Sequence, residues 1–173
     1  EKNTQVEKDM GLKKNSIKKL TGINKRYLAN KNQSSETLAL SVCKKIKSHE
    51  AKKITHIISV TNTPSIRFPG ISNYVSSSLN IENVFCINLN SGCTGYVDAL
   101  ILAYNIISND KKSEILIVTT DTYSKFINKK DRSIKPLFSD GASVSIIKHK
   151  RDGLKLIDRK NLNISNTQGD LIF

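Results

Sequence analysis

Three short apolar segments rich in β-branched residues alternate with stretches of helical periodicity, and this alternation most constrains the fold. The segments are ITHIISVT (54–61), NVFCINL (83–89) and EILIVTT (114–120). Such runs are typical of strands that are buried on both faces, and strands separated by helices pair in parallel. The sequence therefore predicts an α/β fold with a mostly parallel sheet and flanking helices.

Helical patterns precede the first strand. Short helices are expected at 4–10 and 15–20. Ser34 or Ser35 can cap a longer helix that extends to about residue 49, because five apolar side chains fall on one face: Leu38, Ala39, Val42, Cys43 and Ile46.

Two more helices and a last pair of strands complete the predicted order. Pro69 suits the first turn of a helix that ends near Leu79. Residues 95–108 carry apolar side chains at helical spacing, which predicts a helix with a wide apolar surface. SVSIIKH (143–149) and GLKLIDR (153–159) are expected to form a terminal strand pair.

The remaining segments are polar, and none of them has the composition of a linker between domains. Residues 121–142 form a long polar stretch, which is typical of a functional loop. The tail, 161–173, has no predicted element. Without internal repeats or low-complexity segments, residues 1–173 are expected to form one domain.

Composition excludes several classes of protein. Hydrophobic residues make up 38% of the chain and charged residues 25%, as in globular proteins. No apolar run approaches the roughly 20 residues of a membrane span, and the first residues lack the apolar core of a signal peptide. Three cysteines without paired spacing indicate a reducing compartment, so a cytoplasmic location is expected. Neither CxxC nor clustered histidines occur, so no metal site is expected.

The formal net charge of +13 raises the question of an acidic partner. Most of the basic residues are lysines, and Ile and Asn are abundant too, as an AT-rich genome would produce. The lysines are spread along the chain, without an arginine-rich stripe or interleaved aromatic residues. A nucleic-acid-binding module is therefore the weakest interpretation, and neither nucleic acid nor a membrane is expected as a partner.

The sequence NSGCTG places Cys93 between Gly92 and Gly95, where the second strand gives way to a helix. The N-terminus of a helix stabilises a thiolate, and the two glycines allow a sharp turn and the close approach of an acyl group. An amide N–H in this turn can also face a developing oxyanion. Cys93 is either a nucleophile or a small inert residue at a crowded turn. Cys43 and Cys86 are expected in the core.

Three motifs of this chain resemble those of the β-ketoacyl-acyl carrier protein synthase III family, which belongs to the thiolase superfamily. The family has TGI-x-x-R, a Cys-x-Gly turn that opens a buried helix, and FGDGA. This chain has them, in the same order, in TGINKRYLA (21–29), SGCTGYVDAL (91–100) and LFSDGASVSII (137–147).

The resemblance implies a fold, a reaction and several roles. Family members move an acyl group from a thioester, usually acyl-coenzyme A, to the cysteine that Cys93 matches. They then condense it with malonyl-acyl carrier protein and release carbon dioxide, with no further cofactor. Arg132 matches an arginine that contacts the coenzyme A nucleotide, and Phe138 lies in the FGDGA motif as an acyl-pocket residue. Phe68 matches a phenylalanine that reaches the partner's acyl pocket across a homodimer, or it is simply a core aromatic residue.

The chain also departs from the family pattern. Ser16 stands where the family often has a tryptophan that stacks on adenine, and Ser139 and Ser143 replace glycines. These changes leave room for a different acyl donor. They also keep open acyl transfer onto oxygen or nitrogen without decarboxylation, as well as a non-catalytic dimerising homologue.

The resemblance covers the first half of a duplicated fold. The family's opening strand is expected upstream of residue 1, and its catalytic histidine and asparagine are expected in a second half. His49, His56 and His149 match neither. Residues 1–173 are thus predicted to be an N-terminal thiolase-like half-domain, a fragment or ordered portion of a longer chain. Alone it would not catalyse condensation, and it would expose an apolar face.

Overall fold

A computed structural model describes residues 1–160, and its centre is a four-stranded sheet with helices on both faces. The tail at 161–173, for which no element was predicted, lies outside the described residues. The helices are α1 Asn3–Asp9, α2 Ser16–Thr21, α3 Ser35–Cys43, α4 Ser48–Ala51, α5 Ile71–Ser78 and α6 Gly95–Asn109. The strands are β1 His56–Val60, β2 Phe85–Leu89, β3 Glu114–Asp121 and β4 Gly141–Lys148.

The sheet has the order β2-β1-β3-β4. β1 pairs in parallel with β2 and β3, with Ile58 opposite both Ile87 and Ile117. β4 runs antiparallel to β3, and Asp121 lies opposite Gly141. The prediction of a mostly parallel sheet with flanking helices is therefore confirmed.

Alternate side chains of the two central strands build two separate cores. On one face, Ile57 and Leu116 pack with buried residues of α3 and α5. On the other face, Ile58 and Ile117 pack against the inner side of α6, where Ala103 is fully buried. This is why β1 and β3 are continuous apolar runs. No helix within residues 1–160 has the length and apolar character needed to cross a membrane.

Two helix predictions need correction. The helix expected up to about residue 49 is divided into α3 and α4, because the backbone tightens after Cys43 and the N–H of Ile46 bonds to the Cys43 carbonyl. The cap at Ser34 is confirmed, with a hydrogen bond from the Thr37 N–H to the Ser34 hydroxyl. Pro69 lies before α5 instead of in its first turn, since Gly70 intervenes with a φ of 103°.

Two predictions about strands were wrong. β2 forms an edge of the sheet and is only partly covered, with Phe85 63% exposed, so it is not a buried strand. The terminal pair does not form: β4 is present, but residues 153–159 adopt no strand. Leu154 and Ile157 in that segment are fully exposed, so it has no apolar packing to hold it as a strand.

One buried carboxylate connects α3 to the loop after β1. Glu36 Oε1 accepts hydrogen bonds from the backbone N–H groups of Ser65 and Ile66, both at 2.8 Å. Burial by itself raises the pKa of Glu36, but hydrogen bonds from Ser34, Ile66 and Ser65 outweigh it, so the pKa is lowered. The charged side chain therefore holds the loop that leads to Phe68.

Glu36→Gln is expected to lower the free energy of unfolding at pH 7 by about 1–3 kcal/mol, because a neutral amide oxygen accepts the two N–H bonds less strongly. The folded-state pKa of Glu36 lies below its unfolded-state value. Its contribution is therefore complete above the unfolded-state pKa and is lost as the pH falls through the folded-state pKa. Urea unfolding across this acidic range measures both effects.

The exposed Glu82 supplies the matched control, since Glu82→Gln removes a carboxylate that makes no hydrogen bond within residues 1–160. Equal unfolding free energies for the Glu36→Gln protein and the unmodified protein at pH 7 would contradict this account.

Candidate active site

The turn between β2 and α6 presents the predicted nucleophile at the surface. Gly92–Thr94 form a short 3-10 helix that leads directly into α6. Gly92 has a φ of 58°, in the left-handed region that glycine tolerates best. Cys93 is exposed, and it lies beside the first turn of a 15-residue helix. The unpaired N–H groups and the positive end of the helix dipole lie at this end of α6.

Gly95 allows α6 to begin directly against the sheet. A Cβ atom on Gly95 would lie 2.4 Å from Cγ1 of Val60, the last residue of β1. Any side chain at position 95 would therefore push the start of α6 away from β1. Close packing of α6 on β1 thus explains why position 95 is a glycine.

A cleft of about 420 Å³ opens beside Cys93 and carries several hydroxyl groups. The Thr119 and Ser143 hydroxyls lie 2.9 Å apart, and those of Tyr96 and Ser145 lie 3.1 Å apart. Ser143 is one of the two serines that replace glycines in the family pattern, and it brings a hydroxyl into this cleft.

Asp121 joins the carboxyl ends of the two central strands at one wall of this cleft. Its Oδ1 atom accepts hydrogen bonds from the backbone N–H groups of Asn62 (2.8 Å) and Thr63 (3.1 Å), and from the Thr63 hydroxyl (2.8 Å). Asp121 was not among the site residues predicted from the sequence. Its place directly after a predicted parallel strand was the available signal, because such strand ends meet at one edge of the sheet.

The first and third family-like motifs, residues 21–29 and 137–147, are joined by hydrogen bonds. The N–H and carbonyl of Tyr27 bond to the hydroxyl of Ser139 at 2.7 and 2.9 Å. The Asp140 carboxylate accepts from the N–H groups of Ala29 (2.6 Å) and Ser124 (2.9 Å). Buried Arg26 donates to the Pro136 carbonyl at 3.0 Å. Ser139 therefore makes specific backbone bonds in this junction.

Phe138 is partly buried, whereas Arg132 and Phe68 lie on the surface. The Phe138 ring packs on Tyr123 with centroids 4.8 Å apart. Arg132 is exposed and donates to the Gly11 carbonyl at 3.1 Å. Phe68 is 90% exposed, so the interpretation of it as a core aromatic residue is wrong.

The other cysteines and the histidines lie away from Cys93. Cys43 is fully buried, which raises the pKa of its thiol to about 12, and burial also raises the pKa of the partly buried Cys86. His56 begins β1 and His149 follows β4, at the end of the sheet opposite the Cys93 turn. Within residues 1–160, no cluster of three or more His, Cys, Asp or Glu side chains could hold a metal ion.

Comparison with known proteins agrees with these features. The model of the 3-oxoacyl-[acyl-carrier-protein] synthase III family matches residues 87–162. The β-ketoacyl-[acyl-carrier-protein] synthase III of Ehrlichia canis is 30% identical over 160 residues, which are 91% of this chain and 50% of the relative. That of Clostridium perfringens is 31% identical over 159 residues, which are 89% of this chain and 48% of the relative.

Solved structures show the same architecture. The crystal structure of 3-oxoacyl-[acyl-carrier-protein] synthase III from Aquifex aeolicus has a TM-score of 0.81 at 26% identity, covering 88% of this chain and 50% of that one. A 2.1 Å crystal structure of a 3-oxoacyl-(acyl-carrier-protein) synthase III has a TM-score of 0.82, also at 26% identity, covering 89% and 47%. The resemblance of this chain to the synthase III family, over the first half of the fold, is therefore confirmed.

The chain spans about half the length of the synthase III relatives it matches. This agrees with the prediction that it corresponds to the N-terminal half of a thiolase-like fold. The outer side of α6 is exposed within the described residues. Its inner side is buried, but Val97 and Tyr104 are exposed, so the helix is not buried on all sides as the family resemblance implied.

Gly95→Ala is expected to lower the free energy of unfolding by about 1–3 kcal/mol, because the new methyl group overlaps Val60 and forces α6 away from β1. Val60→Ala in the same protein should relieve the overlap, so the double variant should be more stable than the sum of the single effects predicts. Urea unfolding of the two single variants and the double variant measures this coupling.

Gly141→Ala is the matched control, because a Cβ atom there meets nothing within 4 Å. Strictly additive effects of Gly95→Ala and Val60→Ala would show that the contact does not position α6.

Proposed function

We propose that the protein containing this chain is an acyltransferase that carries its acyl group as a thioester on Cys93 and condenses it with malonyl-acyl carrier protein. The observation that carries the proposal is the exposed thiol of Cys93 at the start of α6, in a chain that resembles the synthase III family. The names of its relatives support the same type of reaction.

The first step moves the acyl group between two sulfur atoms. The Cys93 thiolate, having lost its proton to solvent, attacks the carbonyl carbon of an acyl thioester. A new sulfur–carbon bond forms, the bond to the donor sulfur breaks, and the donor leaves as a thiolate that takes up a proton. The N–H groups at the start of α6 stabilise the negative charge on Cys93 before the attack.

The second step forms a carbon–carbon bond. Malonyl-acyl carrier protein loses its carboxylate as carbon dioxide, and the resulting enolate attacks the acyl carbon held by Cys93. The product is a 3-oxoacyl-acyl carrier protein, and the Cys93 thiolate is regenerated. The family resemblance assigns the histidine and asparagine of this step to the second half of the fold. Residues 1–160 therefore hold the groups for acylation alone.

The donor in this proposal is acyl-coenzyme A, and no further cofactor is needed. Arg132 supports this assignment because its guanidinium is exposed and can pair with a phosphate of the nucleotide. Phe138, which packs on Tyr123, serves as an acyl-pocket residue in this proposal.

The proposed assembly is a cytoplasmic homodimer. Phe68 projects into solvent from a loop held by Glu36, as a side chain that enters a partner's acyl pocket would. β2 lies at the edge of the sheet and exposes Phe85. In the proposed dimer, a second copy of the chain covers the β2 edge and the Phe85 side chain. The net charge of +13 suits the binding of an acidic carrier protein.

Incubation of the natural full-length protein with a panel of acyl-coenzyme A thioesters is expected to add one acyl group, which intact-mass spectrometry detects. The adduct should be absent from the Cys93→Ala variant, because the acceptor sulfur is gone. Cys86→Ala serves as the matched control and should still be acylated, since Cys86 is partly buried in the core.

Addition of malonyl-acyl carrier protein to the acylated protein then tests condensation. Loss of the adduct together with a 3-oxoacyl-acyl carrier protein product supports the proposal. Transfer of the intact acyl group to an oxygen or nitrogen acceptor would instead show a non-decarboxylating acyltransferase. A folded protein that no thioester labels would show a non-catalytic homologue.

A further inference from the structure

Two polar side chains that the catalytic proposal does not use lie beside the Cys93 turn. Asn62 follows β1, and Tyr123 begins the short 3-10 helix Tyr123–Lys125 after β3. Asn62 Nδ2 lies 3.7 Å from the position that a Cβ atom on Gly92 would take. The same nitrogen donates a hydrogen bond to Tyr123 Oη at 3.0 Å. The pair is therefore adjacent to the backbone that presents Cys93.

The surroundings of Tyr123 keep its hydroxyl protonated and place it within reach of charge on the nucleophile. Burial raises the pKa of Tyr123 most, the hydrogen bond from Asn62 lowers it, and negative charge on Asp121 or on Cys93 raises it further. The phenol therefore remains a hydrogen-bond donor at neutral pH. The Phe138 ring, 4.8 Å from the Tyr123 ring, restricts its movement.

The donor capacity of this hydroxyl is not used inside the described part of the chain. Tyr123 Oη accepts from Asn62, and its own O–H donates to no other residue within 1–160. A phenol O–H that faces an alkyl chain loses its bond to water without replacement. An acyl group with an oxygen atom at the right distance satisfies the same O–H.

We propose that Tyr123, oriented by Asn62, is a specificity-determining residue that makes Cys93 select acyl groups bearing an oxygen acceptor, such as a 3-hydroxyacyl group, over plain alkyl chains of equal length. This inference rests on the proposed acylation of Cys93. Sites built to hydrogen-bond a substrate oxygen reject analogues that lack it far more strongly than apolar pockets reject a missing methylene group.

The test compares two donors with the same carbon chain, butyryl-coenzyme A and 3-hydroxybutyryl-coenzyme A. The rate of Cys93 acylation in the natural full-length protein is followed by intact mass for each donor. We expect 3-hydroxybutyryl transfer to be about 10-fold faster, a ratio within the range for one satisfied polar group. Tyr123→Phe should bring the two rates together by slowing the hydroxylated donor and accelerating the alkyl donor.

Two further variants separate this role from a structural one. Asn62→Ala keeps the hydroxyl but removes the group that orients it, so it should reduce the preference only partly. Tyr104→Phe removes a hydroxyl from the exposed side of α6 and should leave the preference unchanged.

Equal rates for the two donors, or a preference that survives in Tyr123→Phe, would overturn the inference while leaving acylation of Cys93 intact. Labelling by acetyl-coenzyme A together with exclusion of both four-carbon donors would overturn it in the same way. Failure of every donor to label a folded protein would remove the proposed function and this inference with it.

Discussion

The start of α6 rests on β1 at a distance that only glycine permits, and the position of the nucleophile depends on that contact. Gly95 faces Val60 directly, so the helix begins where the strand ends. Cys93 is then held two residues earlier in a single 3-10 turn, at the positive end of the α6 dipole. The same contact sets α6 against β1 and β3 and thereby defines one of the two cores.

Two of the family-like motifs are in direct contact in the folded chain. Residues 21–29 and 137–142 are far apart in the chain, yet Tyr27 and Ala29 bond directly to Ser139 and Asp140. Asp140 also holds Ser124 in the turn that contains Tyr123. A junction remote in sequence therefore positions a side chain beside Cys93. Ser139 preserves the junction through its own hydroxyl, whereas Ser143 changes the chemistry of the cleft.

Most of the architecture could be predicted from local patterns. Continuous apolar runs identified the strands, and helical spacing placed α6 within one residue of its observed end. The two strand errors have one physical source, because periodicity records apolar character and says nothing about which neighbours are present. β2 has the composition of a buried strand but lies at an edge. Residues 153–159 have the composition of a strand but lack packing partners within residues 1–160.

The sequence by itself determined the order of strands and helices, the sharp glycine turn and the choice of Cys93, because these depend on residues close together in the chain. Only the tertiary structure decided what surrounds that thiol. Asn62 follows β1, whereas Asp121 ends β3 and Tyr123 follows it. Parallel pairing brings these two strand ends to one edge of the sheet. Such a juxtaposition has no local signature, since it arises from the register between strands nearly sixty residues apart.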